Sequence, residues 1–185
     1  MCKALLLIDL SNDFIKLDGA LNCGQPGEDI IPFCESLVRE FVSDGLPVID
    51  ARDEHSMEDY EISSGLFPPH NLKGTWGQEL IPELAAILKQ APSQWIYIPK
   101  KHYNAMFQTD LPETLSRLGI DELHVIGVCT DICVRYTTNG LYEYKTTSRP
   151  QLRIVLHQLG VASFNQIGHE DSLKHLPGAF GIDVL

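Results

Sequence analysis

The sequence predicts a three-layer α/β/α sandwich built on an open, mainly parallel sheet, in a single domain spanning 1–185. Three observations predict it. Short, nearly continuous apolar runs recur along the chain, and continuous rather than alternating hydrophobicity is what a strand buried on both faces requires. Between these runs lie helix-like segments, which supply the crossover that parallel neighbours need. Finally, 185 residues with 44% hydrophobic and 21% charged content can bury a core without disulfide or metal staples.

In chain order, the first strand is 4–8, an unbroken Ala-Leu-Leu-Leu-Ile run closed by Asp9. A helix at 29–43 leads to the second strand at 46–51, and a helix at 77–90 leads to the third at 95–98. The segment 111–118 reads as a helix ended by Gly119, and 123–128 as the fourth strand. After it come a helix at 132–143, a surface connection at Pro150-Gln151, a fifth strand at 153–156, a turn at Gly160, a helix at 170–176 and a short strand at 182–185. One stretch, from Arg52 to about Thr75, fits neither element type. It holds acidic groups, two His and a Pro-Pro pair, and a loop this long in a compact domain usually serves function.

Composition excludes several partners. With 14 Lys+Arg against 25 Asp+Glu the net charge is −11, so the chain lacks the positive field needed to neutralise the phosphates of nucleic acid or an anionic membrane. No apolar run approaches the roughly 20 residues that span a bilayer, and the opening segment meets Asp9 too soon for a signal peptide. A cytoplasmic location is expected. The five cysteines are odd in number, and Cys129 and Cys133 have C-x3-C spacing rather than a zinc or redox C-x2-C, which points to free thiols.

In open parallel sheets ligands sit beyond the carboxyl ends of the strands, so the residue closing each strand is where chemistry belongs. Strand one ends at Asp9, strand two runs into Asp53 and His55, strand three into Lys100, and Thr130-Asp131-Ile132-Cys133 follows strand four. Each alone has a bland reading as a turn residue, a solvated ammonium or a small core thiol. Together they place a carboxylate, an ammonium and a thiol on one rim. A thiol in the first turn of a helix feels positive backbone N–H groups, Lys100 adds to that, and Asp9 can accept the proton, so Cys133 is the candidate nucleophile and thiolate is expected to be favoured.

These residues resemble the isochorismatase-like cysteine hydrolases, and within them the nicotinamidases. The resemblance rests on the Ala4–Asp9 run with Asp13-Phe14, on Asp53-Glu54-His55 with 66–72 and Gly74-Thr75, on 100–105, and above all on 127–134. It implies the isochorismatase-like hydrolase fold and a catalytic triad of Asp9, Lys100 and Cys133, with Lys100 preferred over Lys101 for its spacing to Tyr103 and Ala105. It also implies a cis peptide between Val128 and Cys129, with the Cys129 and Cys133 N–H groups forming an oxyanion hole. Phe14, Phe67, Tyr103 and Cys129 are then substrate-binding, with Trp76 shaping the entrance. The activity implied is hydrolysis of nicotinamide to nicotinate and ammonia through a Cys133 thioester, in NAD salvage. Pyrazinamide is an alternative small-molecule substrate, and self-association into a homo-oligomer is expected.

The spacing supports a metal as well. In extended backbone residues i and i+2 share a face, so Asp53 and His55 can reach one ion, and His70 returns from a loop stiffened by Pro68-Pro69. Two His and one carboxylate suit one divalent transition ion, Zn foremost, with Mn or Fe as alternatives. Some relatives carry a Glu seven residues before the distal His, where this chain has Ser63. Ser63 could hold water there, while Glu58 or Glu61 would reach the ion only after loop rearrangement. Cys2, Cys23 and Cys34 read as structural or surface thiols, and His102 and His169 as solvated. Two rivals remain: the same chemistry on another small amide or an isochorismate-like ether, and a thiol-redox or binding protein using Cys129 and Cys133 as a pair.

Overall fold

The computed structural model describes residues 2–185. Six strands, β1 (Lys3–Ile8), β2 (Val48–Asp53), β3 (Trp95–Lys100), β4 (Glu122–Val128), β5 (Arg153–Ala162) and β6 (Asp183–Val184), form one sheet in the order β3-β2-β1-β4-β5-β6. Every pairing is parallel. The helices are α1 (Asn12–Ile15), α2 (Gln25–Asp29), α3 (Ile31–Ser43), α4 (Tyr60–Ser63), α5 (Pro82–Leu88), α6 (Leu111–Leu118), α7 (Arg135–Ser148) and α8 (Gln166–Phe180).

The continuous apolar strands make two cores. On β1, Leu5 and Leu7 point to the face packed by α3 and α5, whereas Ala4, Leu6 and Ile8 point to the face packed by α6, α7 and α8. Successive side chains alternate between faces, so a strand covered on both sides must be apolar throughout. From β1 the chain builds outward one way through β2 and β3, and from β4 the other way through β5 and β6. The order reverses between β1 and β4, and the crevice beyond their carboxyl ends is the place where this architecture binds ligands.

The differences from the predicted elements are polar. Strands β2 and β3 run on to Asp53 and Lys100, which face each other in register, and β5 runs to Ala162. Apolar periodicity stops short of them because these ends are charged, and they stay buried by pairing with one another. The helix predicted at 77–90 begins only at Pro82, a residue suited to the first helical position, after a 3₁₀ turn at Trp76–Gln78. Gly160 lies inside β5 rather than in a turn, where a Cβ would come within 2.5 Å of Ile126 Cγ2. Gly127, at φ 135°, brings β4 against β1 so closely that a Cβ would meet the Ile8 carbonyl oxygen at 2.0 Å. Among the described residues, no helix is long and apolar enough to cross a membrane.

Candidate active site

Asp9 closes β1 in left-handed backbone, φ 54°, a conformation that Asp tolerates better than most residues, and its side chain is fully buried. One carboxylate oxygen accepts the Asp53 backbone N–H at 2.8 Å and the other lies 2.6 Å from Lys100 Nζ. Lys100 Nζ also donates to Asp53 Oδ1 at 2.6 Å. A single buried ammonium therefore bridges two buried carboxylates. Lys101, its sequence neighbour, is exposed and pairs with Asp59 at 3.0 Å.

The charges respond to that enclosure. Burial works against the Lys100 ammonium, but Asp53 and Asp9 hold it well above the usual lysine range. Burial also opposes the Asp53 carboxylate, yet Lys100 and His55 keep it down at about 2. Asp9 goes the other way: burial, joined by the Asp53 charge, outweighs Lys100 and pushes it up to about 6. The bridging ammonium favours the ionised form of both carboxylates, and burial makes Asp9 the readier of the two to gain a proton.

Cys133 sits in a π-helical turn, Thr130–Val134, between β4 and α7 rather than in the first turn of a long α-helix. Its Sγ, an Asp9 oxygen and an Asp53 oxygen all lie within 4.8 Å of one another. Burial pushes the thiol well above its usual range, with Lys100 offsetting only part and Asp9 and Asp53 adding to it. The expectation of a favoured thiolate is therefore corrected. Burial favours the protonated thiol, and Asp9 stands beside it as the acceptor. The Val128-Cys129 peptide is cis, and the Cys129 N–H has no acceptor among the described residues.

Asp53, His55 and His70 are all buried and bring one ligand atom each within 4.8 Å of the others. His70 Nδ1 is 2.8 Å from the Pro68 carbonyl, and His55 Nδ1 is 3.2 Å from Asp59 Oδ2. Both partners can only accept, so each Nδ1 carries the hydrogen, and in the neutral ring each Nε2 has its lone pair to offer. His55 Nε2 is buried with no hydrogen-bond partner. An orphaned imidazole nitrogen beside a second imidazole and an ionised carboxylate is the donor set of a divalent transition ion, so the residues fit the group.

The pocket above these groups has an empty volume of about 300 Å³ and is lined by Phe14, Phe67, Tyr103, Cys129 and Cys133 with Asp53 and His70. Phe14 and Phe67 approach the His70 ring at centroid distances of 5.3 and 6.0 Å. Sequence reasoning missed Leu21, Ile132 and Phe164, which line the same pocket. Glu61, on α4, also lines the pocket but is not among the ligand atoms that cluster at Asp53, His55 and His70, while Ser63 and Glu58 are exposed. Trp76 is not among the lining residues, and its carbonyl instead accepts from Asn12 Nδ2 at 2.8 Å. His169 is half-buried and bonded to Thr130 Oγ1 at 2.8 Å rather than solvated. All five cysteines are free. Cys129 Sγ faces Cys23 Sγ at 3.5 Å, so Cys23 backs the pocket wall and does not lie apart from the site. The redox rival required Cys133 as the partner of Cys129.

The chain matches the isochorismatase domain family over residues 3–183. It is 42% identical to the isochorismatase family protein PncA of Bacillus subtilis (strain 168), covering 100% of this chain and 99% of that one. The crystal structure of the nicotinamidase/pyrazinamidase PncA from Bacillus subtilis superimposes with a TM-score of 0.90 at 40% identity, over 100% of this chain and 99% of that one. The pyrazinamidase/nicotinamidase from Streptococcus mutans UA159 gives 0.89 at 32% identity, over 99% of each chain.

Proposed function

The chain belongs to the isochorismatase domain family, and we propose that it is a nicotinamidase, an amidohydrolase that converts nicotinamide to nicotinate and ammonia through a thioester on Cys133. The observation that carries this reading is the buried cluster of Cys133, Asp9 and Asp53 around Lys100 at the floor of an aromatic pocket. The names of the Bacillus subtilis and Streptococcus mutans relatives support the substrate. NAD salvage, a cytoplasmic location and self-association belong to the same proposal.

The flat walls given by Phe14, Phe67 and Tyr103 suit a planar heteroaromatic ring and leave its carboxamide facing Cys133. The sulfur attacks the carboxamide carbon as its proton passes to the Asp9 carboxylate, so charge separation occurs only as the bond forms. The N–H groups of Cys129 and Cys133 hold the developing oxyanion. Asp9 then gives its proton to the departing nitrogen, the C–N bond breaks and ammonia leaves. Water adds to the thioester with its proton taken by Asp9, the C–S bond breaks, and the thiol regains the proton as nicotinate forms. Lys100 keeps Asp9 ionised at the start of each cycle.

Asp53, His55 and His70 would hold a divalent transition ion, zinc foremost, and such an ion supplies a Lewis acid toward a ring nitrogen. Ammonia release from nicotinamide, measured before and after chelation and again after restoring zinc, tests the whole reading. Release that chelator abolishes and zinc restores is expected. A zinc-loaded protein that releases no ammonia overturns the proposal.

A further inference from the structure

Phe164 remains 45% exposed, yet it forms part of the wall of the pocket that holds Cys133. Of the other apolar walls, Phe14 belongs to the hydrophobic core and Leu21 and Ile132 pack against it, whereas Phe164 stands at the water's edge. An exposed phenyl on a yielding loop would select nothing, but here the backbone on both sides is tied down. Ser163 is buried and donates its hydroxyl to Asp131 Oδ1 at 2.6 Å. Asn165 gives its backbone N–H to the same Ser163 hydroxyl at 3.1 Å, and its side-chain oxygen caps α8 by accepting from the Gly168 N–H at 3.1 Å.

Asp131 belongs to the five-residue turn that carries Cys133, and Thr130 of that turn meets His169 Nδ1 at 2.8 Å. Gly168 packs so closely that a Cβ there would lie 2.1 Å from Asp131 Oδ2. The rim bearing Phe164 and the turn bearing the nucleophile are therefore clipped into one unit. A shift of either would break partly buried hydrogen bonds.

We propose that Phe164 is a specificity-determining residue, a fixed aromatic post that restricts the pocket to single-ring amides, and that the Asp131–Ser163 hydrogen bond is what positions it. The proposal rests on the amidase reading above. Its logic is exclusion: a rigid wall discriminates by the clash it imposes on a larger ring, and a pocket edge that cannot relax turns that clash into a loss of kcat/KM.

The test compares nicotinamide with quinoline-3-carboxamide, which keeps the ring nitrogen and amide and adds a second ring. In Phe164→Ala the kcat/KM ratio of the two-ring to the one-ring amide is expected to rise about tenfold or more. Ser163→Ala should raise that ratio in the same direction through KM, and Ser163→Thr, which retains the hydroxyl, should restore the wild-type ratio. Circular dichroism confirms that each variant is folded. A folded Phe164→Ala whose ratio stays within threefold of wild type overturns the specificity role, and a folded Ser163→Ala with the wild-type ratio overturns the positioning role. Wild-type protein that releases no ammonia from nicotinamide overturns instead the amidase reading beneath them.

Discussion

Replacing Lys100 with Met removes the cation that the buried carboxylates of Asp9 and Asp53 share and keeps most of the side-chain volume. Asp9 Oδ2 and Asp53 Oδ1 each lie 2.6 Å from Lys100 Nζ, so the two oxygens are at most about 5 Å apart. Two unit charges at that distance repel by about 3 kcal/mol at an effective dielectric constant near 20. Deleting one partner of a buried ion pair generally costs about 3–5 kcal/mol, because the charge left behind is desolvated and unpaired. Lys100→Met should therefore lose about 3–5 kcal/mol of unfolding free energy at pH 8. Without the ammonium, Asp9 titrates in the folded state above its unfolded value, so acidification protonates it in the folded protein first and relieves the repulsion. The loss should shrink between pH 8 and pH 5, and Asp9→Asn in the same chain should recover at least about 1 kcal/mol of it. Urea unfolding in the presence of chelator measures this on the protein's own charges. A loss below about 1 kcal/mol, or one as large at pH 5 as at pH 8, would refute the reasoning.

Elemental analysis of purified protein should find one divalent transition ion per chain, with His55→Ala and His70→Ala each abolishing it; full occupancy in either variant would remove that histidine from the site. Benzamide offers the same amide and stacking surface as nicotinamide but no ring nitrogen, so its kcat/KM should be lower by at least about tenfold, some 1.4 kcal/mol, and equal efficiency would show that nothing in the pocket reads that nitrogen. Burial and the nearby His124 ring hold His157 down at about 4, below the ordinary 6.5. Above pH 6.5 both states are neutral there. As pH falls toward 4 the unfolded chain takes the proton first, so stability is lost across that window, and His157→Gln should flatten that part of a urea-derived stability profile.

Much of the architecture was legible because parallel strands covered on both faces must be apolar, and Ala4–Ile8 admits no other reading. The same logic placed Asp9, Lys100 and Cys133, since charges that close such strands converge at one end of the sheet. What escaped was whatever polarity or length disguised. β5 continues to Ala162 through Gln158 and Gly160, so the apolar run seemed to stop at Leu156, and the rim that carries Phe164 was lost with it. The place of Glu61 in the pocket lining was hidden because the segment 52–75 read as loop, while α4 carries it there. Cys23 and His169 are distant in sequence from Cys129 and Thr130, and only the folded chain brings each pair together. The protonation state of Cys133 depends on burial and on three neighbouring charges, which no local spacing encodes.

In the proposed reaction Cys133 forms the bond to the acyl group and Asp9 moves the proton. Ammonia released from nicotinamide by wild-type, Cys133→Ala and Asp9→Asn proteins, each loaded with the same ion and shown by circular dichroism to be folded, tests it most directly. Steady release by the wild type is expected, with none above background from Cys133→Ala and a loss from Asp9→Asn on the order of 100-fold or more. Release at the wild-type rate by a folded Cys133→Ala protein would contradict it.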